Sequence, residues 1–392
     1  MTESAGVLSK AVIRKDAEDS AYPNEPVYAT LIGTGASAIP IQSEAVSLNT
    51  TLGERATLRG GASQEPASQE FSALSGPVSC ALSYEFLDRL WLMLLGFEHP
   101  DDSPFASGAT THTHVYEMDD ALRRQDWLAG DSRSIPWTLG ERKVRTFAML
   151  VTKQVETWFY YGLMVASATI TIKPNRTSVQ FNVVGNNRSR SASAVPANSL
   201  ADIPICLWSE CAFSLGSVDG ATISWQSVGA SEIQIVIENP LVSTKLIGTG
   251  GTAPMEPHRS NASNVRLRVT LPRYVSTNLA NNLMTAHDSE TPLKANIIFS
   301  KTVGSVDYEL YFGLPHLRVR SSTAATAGRS VRQPRFEFAA YKPAELTDVL
   351  NPWNVGAADT WNGSLHGITL RKNAALTIIN ENTNSATGLT EI

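Results

Sequence analysis

The stretch "WFYYGLMVASATITIKPNRTSVQFNVVGNN", Trp158 to Asn187, decides the fold class. Within it Val179, Phe181 and Val183 alternate with Ser178, Gln180 and Asn182, the period of a strand with one face on a core. The same alternation returns at Ile233, Ile235 and Ile237, and at Val265, Leu267, Val269 and Leu271. It recurs at Leu317 and Val319, Phe336 and Phe338, and Ile368 and Leu370. A mainly β chain of half-buried antiparallel strands is expected.

One segment breaks the period. "SYEFLDRLWLMLLG" predicts a helix from Ser83 to Leu95, with Ser83 as N-cap, Glu85 and Asp88 early, and Gly96 just past the end. Leu87, Leu90, Trp91 and Leu94 form its packing stripe, and Leu92, Met93 and Leu95 fill the opposite side. Such a helix is buried on more than one side.

The order of elements then repeats. Strands at Ala45–Leu48 and Val78–Leu82 precede the first helix, and strands at Trp158–Leu163, Thr169–Ile172 and Ser178–Val184 follow it. The second half offers strands at Glu232–Ile237 and Val265–Leu271, and a helix at Arg273–Met284. Its later strands are Glu309–Leu314, Leu317–Arg320 and Arg335–Tyr341. Tyr160-Tyr161-Gly162-Leu163 matches Tyr311-Phe312-Gly313-Leu314, and Tyr84 matches Tyr274. Element order more than identity indicates an internal duplication.

The first copy is about 39 residues longer between helix and aromatic strand, within His99–Lys143. Long structureless insertions in compact domains are usually functional. This one carries Phe105, Tyr116, Trp127 and Trp137 among charges, the composition of an arm that docks on another subunit. It is expected to be mobile in the monomer and ordered in an assembly.

A Gly-x-Gly loop appears twice, in "LIGTGASAIP" from Leu31 and "LIGTGGTAPM" from Leu246. A dinucleotide site needs a helix directly after the glycines to receive the pyrophosphate. Pro40 after the first loop, and Pro254 and Pro257 after the second, preclude that helix. These are Gly-rich turns, and no cofactor is expected.

The 392 residues are 42% hydrophobic and only 18% charged, which suits a protein that hides surface against copies of itself. A net charge of −5 and a pI near 5.9 argue against a basic nucleic-acid-binding surface. Cys80, Cys206 and Cys211 form no disulfide framework or metal-ligand pair and read as packing residues in a reducing compartment. The N-terminal residues lack the apolar run of a signal peptide, and Leu90–Phe97 is too short to span a membrane. A soluble, non-membrane protein is expected.

Catalytic and metal chemistry finds little support. His112 and His114 lack the further ligands a metal site requires. Glu117, Asp119 and Asp120 precede Arg123 and Arg124, which suggests an ion-pair surface in place of acid-base work. No nucleophile elbow or Cys–His arrangement appears, so the chain does not read as an enzyme.

The strand-helix unit "VSCALSYEFLDRLWLMLLGFE", "THTHVYEM", the Trp158–Asn187 stretch and "ELYFGLPHLRVRSSTAATAGRSVRQPRFEFAAYKPA" together resemble the major tail tube proteins of tailed bacteriophages, particularly those with long non-contractile tails. The resemblance covers roughly residues 28–345. It implies a β-sandwich or half-barrel with a flanking helix, inner strands joining between copies around a lumen, and a loop reaching an adjacent ring. It further implies a structural virion protein, assembled in the host cytoplasm, whose tube conducts DNA during ejection without reading its sequence, with other tail proteins at the tube ends.

The organisation expected is an N-terminal arm (1–27), tube domain 1 (28–190), a linker (191–219), tube domain 2 (220–345) and a C-terminal extension (346–392). Two domains per chain imply homotrimeric rings with pseudo-sixfold symmetry, with a homohexamer as the alternative. Few Lys or Arg side chains are expected on the lumenal strands. A different class remains open: a β-sandwich virion module for host attachment or carbohydrate binding, using the aromatics of the insertion.

Overall fold

A computed structural model describes residues 10–15, 37–53, 68–98, 112–118, 146–153, 156–191, 204–217, 226–242, 258–259, 263–272, 277–304, 306–323, 333–341 and 375–380. Both LIGTG turns, Tyr274, Ile368 and Leu370 lie outside the described residues.

The elements fall into two series. The first comprises β1 (Lys10–Lys15), β2 (Ser37–Ile39), β3 (Ile41–Glu44), β4 (Ser47–Gly53), β5 (Ser68–Ala81) and helix α1 (Asp88–Leu95). It continues with β6 (Gly96–Glu98), β7 (His112–Met118), β8 (Phe147–Lys153), β9 (Glu156–Lys173), β10 (Arg176–Gly185) and β11 (Asn187–Ser191). The second comprises β12 (Cys211–Ser217), β13 (Gln226–Ser227), β14 (Glu232–Glu238), a two-stranded hairpin β15 (Leu241–Val242) and β16 (His258–Arg259), and β17 (Asn264–Thr270). Helix α2 (Thr277–Asp288), β18 (Leu293–Val303), β19 (Val306–Thr323) and β20 (Arg335–Ala340) complete it, and β21 (Ala375–Asn380) follows.

The pairings of the two series correspond in order, with β3 and β4 together matching β14, and all are antiparallel. In the first, β1 pairs with β2 and β8, β8 with β9, β9 with β10, β10 with β5, and β5 with β3 and β4. In the second, β12 pairs with β13 and β18, β18 with β19, β19 with β20, β20 with β17, and β17 with β14. Helix α1 packs on β9, and α2 packs on β19. One difference stands out. β11 continues β10 along the first half of β9, whereas the matching edge of β19 takes β21, whose other edge pairs with β7.

The long strands β9 and β19 do what the sequence pattern divides between two strands each. β9 pairs with β8 over its first half and with β10 over its second, so it turns the corner between two layers. Gly162 sits at that corner with φ of 64°, a left-handed conformation that costs glycine no side-chain clash. At Gly76 the chain passes so close to the carbonyl of Ala45 that a Cβ would overlap it. This close approach accompanies the jog that separates β3 from β4. The first strand expected at Ala45–Leu48 therefore begins at Ser47.

Helix α1 starts at Asp88, later than the expected Ser83. Ser83 forms a β-bridge with Ile205, its hydroxyl donates to the carbonyl of Glu85, and Phe86 adopts a φ of 68°. Tertiary pairing has claimed the residues that local propensity assigned to the first helical turn. Past the helix, Gly96 opens β6. Helix α2 runs Thr277–Asp288, and residues 273–276 lie outside the described residues. The segment expected to be a linker, 191–219, contains β12, whose Phe213 and Leu215 are buried.

The buried side chains of both series form one continuous core. Trp91, Tyr84, Tyr116, Tyr160, Phe181, Phe299, Phe336 and Phe338 are its largest fully buried members. No helix among the described residues is long and apolar enough to cross a membrane.

Candidate assembly interface

The two series meet edge to edge. β14 of the second pairs antiparallel with β9 of the first, in a register running from Ile233 opposite Ile172 to Glu238 opposite Ser167. Strand alternation puts Ile233, Ile235 and Ile237 directly across from Ile172, Ile170 and Ala168, and all six are buried. Burying an isoleucine side chain contributes roughly 1.5–3 kcal/mol, so this joint is held by apolar burial as much as by backbone bonds. Lys173 and Glu232 close one end at 2.9 Å, but both are too exposed for the pair to add much.

Helix α1 lies beneath the joint and touches both series. The Trp91 ring meets Phe181 of β10 at 5.0 Å and Phe312 of β19 at 5.8 Å, both edge to face. The C-terminal carbonyls of a helix lack intrahelical donors. Here the side-chain amide of buried Asn239, just past β14, donates to the carbonyl of Leu94, while the Asn239 backbone N–H donates to Ala166 at 2.7 Å.

A second contact forms at Tyr84. Its ring lies 5.9 Å from Tyr308, and its hydroxyl donates to Glu210 Oε2 at 3.2 Å. Glu210 also accepts from the Leu207 N–H and pairs with Lys301 at 3.3 Å. Burial, with Cys206 and Glu210 nearby, holds the Tyr84 phenol well above its ordinary range. Burial likewise pushes the Cys80 and Cys211 thiols up to about 12 and that of Cys206 well above its usual value. These are packed, protonated thiols without nucleophilic character.

The sheet face turned away from the core differs between the series. On β9 and β10 it presents Ser167, Thr169, Thr171, Ser178, Gln180 and Asn182. On the second series it presents arginines, three of them beside a carboxylate. Arg266 bonds Glu238, Arg268 meets Glu337 at 2.9 Å and Gln234 at 3.2 Å, and Arg318 meets Glu290 at 3.0 Å. Among the described residues, no group of His, Cys, Asp and Glu stands close enough to hold a metal ion.

Of the residues singled out in the sequence, Leu87, Leu90, Trp91 and Leu94 are all buried around α1. Tyr116 is fully buried in β7, so at least 112–118 of the insertion belongs to the fold of the single chain. Phe105, Trp127 and Trp137 lie outside the described residues. Sequence reasoning missed β12, although the Cys211, Phe213, Leu215 alternation was there to be read. It also missed Asn239, for which the sequence carries no signal.

Among known proteins, the family model for phage tail tube proteins matches residues 10–340. No curated protein matches the chain. The match spans most of the sequence, and the chain belongs to the phage tail tube protein family. It is thus a structural, non-enzymatic component of the virion tail.

Proposed function

We propose that this tail tube protein carries two tandem tube domains, about residues 28–190 and 220–345, and assembles into homotrimeric rings with pseudo-sixfold symmetry. Rings stack head to tail into a tube that conducts DNA during ejection, with other tail proteins at its ends. Assembly takes place in the host cytoplasm. The observation that carries this reading is the β9–β14 joint, which makes the sheets of the two series one continuous arc. Three such arcs, joined the same way, close a barrel and remove the exposed strand edges that otherwise invite uncontrolled pairing.

The sheet face away from the core is the surface this reading assigns to the lumen. It contains Arg266 and Arg268, so it is not as poor in arginine as the acidic composition suggests. Each is neutralised within the sheet by a carboxylate. A surface whose arginines are partly neutralised in this way releases fewer counterions on meeting DNA and therefore holds it less tightly, which suits a conduit. The insertion, present in the first domain alone, supplies three arms per ring, in which Phe105, Trp127 and Trp137 serve assembly, while Tyr116 stays in the core of its own chain.

Electron microscopy of assembled tubes tests the reading. Three chains per ring, each contributing β9 and β14 to the lumen wall, is the expected result. Six chains per ring, with the second domain outside the wall, would establish the homohexamer instead.

A further inference from the structure

The internal joint between the two series leaves its repeat equivalent open. In the first series Phe181 is flanked by Val78 on β5 and Ala168 on β9; in the second, Phe338 is flanked by Leu267 on β17 and Val319 on β19. Ala168 therefore corresponds to Val319, and Ser167 to Arg318. By the same reasoning along β5 and β17, Ser47 opposite Ser75 corresponds to Glu238 opposite Asn264, and Val46 to Ile237. The burial agrees. Val46 and Ile237 are each 3% exposed, and Val319 is buried as Ala168 is.

In the chain, Ala168 and Ser167 are covered by Ile237 and Glu238. The matching edge of β19, from Arg318 to Thr323 on the side away from β20, has no strand paired with it among the described residues. Nor has the far edge of the segment Ile41–Ser47, on the side away from β5. Among the described residues one molecule thus presents both halves of a joint it already makes once internally, with the Val46 N–H, which would face the partner strand, held by the Glu44 carboxylate in the single chain.

We infer that chains join through these two edges: Arg318–Thr323 of one copy pairs antiparallel with Ser43–Ser47 of the next, with Val319 opposite Val46 and Arg318 opposite Ser47. This rests on the ring reading above and specifies its contact surface. The joint between chains is more polar than the internal one. Ser322 takes the place of Ile170, and Glu44 takes that of Ile235. The register skips Arg320, which bulges between Val319 and Ser321.

Cysteine pairing tests the register. Directly opposed antiparallel residues have Cα atoms about 4.5–5.5 Å apart, inside the range of about 4.4–6.8 Å that a disulfide spans. Diagonal neighbours lie about 7–8 Å apart and do not bridge. Ser47 and Arg318 are both exposed, so Ser47→Cys and Arg318→Cys leave the core intact.

In assembled tubes, confirmed by microscopy, the double variant Ser47→Cys/Arg318→Cys should oxidise to covalent oligomers whose ladder ends at three chains. The shifted pair Ala45→Cys/Arg318→Cys should stay monomeric on a denaturing gel. Tubes in which the first pair fails to cross-link, or in which the shifted pair cross-links equally well, would overturn the inference. A ladder ending at six would uphold the joint and reject the trimer, so the two readings fail separately.

Discussion

Trp91 and Phe312 meet edge to face across the boundary between the two series, with ring centroids 5.8 Å apart. The helix of the first series is thereby packed against the aromatic strand of the second, and the two cores merge. Trp91→Ala should cost about 3–5 kcal/mol, as removal of a buried aromatic does. A double-mutant cycle of Trp91→Leu with Phe312→Leu should give a coupling of about 0.5–1.5 kcal/mol in urea unfolding. Strict additivity would mean that the ring contact holds nothing together.

Asn239 should matter beyond its size. Asn239→Ala removes the donor to Leu94 and leaves a buried carbonyl without it, at a cost of about 1–3 kcal/mol. Because the amide bridges the two series, protease protection of α1 should fall along with global stability. A variant with an unchanged urea midpoint would show that water replaces the amide without loss.

Glu309 gives a pH dependence. Burial, and then the nearby Asp307 carboxylate, raise its pKa above the ordinary 4.5. Ionisation is therefore less favourable in the folded state, and the penalty grows as pH rises above the unfolded value. Glu309→Gln should raise the melting temperature at neutral pH, and the gain should vanish below about pH 4.5, where folded and unfolded states both hold the proton. An equal gain at every pH would point to packing instead of charge.

The polarity of the edge Arg318–Thr323 can be reversed. Ser322→Ile restores the residue type found at Ile170 and should strengthen association by about 1 kcal/mol or more per joint, roughly fivefold in the concentration needed for assembly. Light scattering against protein concentration reads this directly. An unchanged threshold would count against that edge as the contact surface.

The arm should be separable from the fold only beyond β7. Deleting residues 119–143 spares buried Tyr116 and Met118, so a folded chain is expected that no longer forms tubes. Circular dichroism checks the first outcome and negative-stain microscopy the second. Normal tubes from this variant would remove the arm from the assembly mechanism.

The sequence by itself determined the alternating strands and the order in which they recur, but not β8, β12 or β18. Alternation is local: whether Val179, Phe181 and Val183 face a core depends on the pleat alone, so the pattern survives without knowledge of neighbours. The packing face of α1 was legible for the same reason, because a spacing of three and four residues sets one side of a helix. Its start was not. Ser83 is a good N-cap by type, yet its bridge to Ile205 and the anchoring of Tyr84 at Pro204 and Glu210 hold that turn out of the helix.

Only the tertiary structure decided which strand edges meet. An edge binds through backbone N–H and carbonyl groups that every residue carries, so the sequence of β9 or β14 does not name its partner. The choice came from the shape the chain had already taken. β14 reached β9, Asn239 closed the end of α1, and Trp91 filled the space beneath. The same backbone logic left Arg318–Thr323 and Ile41–Ser47 each with one edge that no strand pairs among the described residues, visible as a matching pair only once the register was fixed in space.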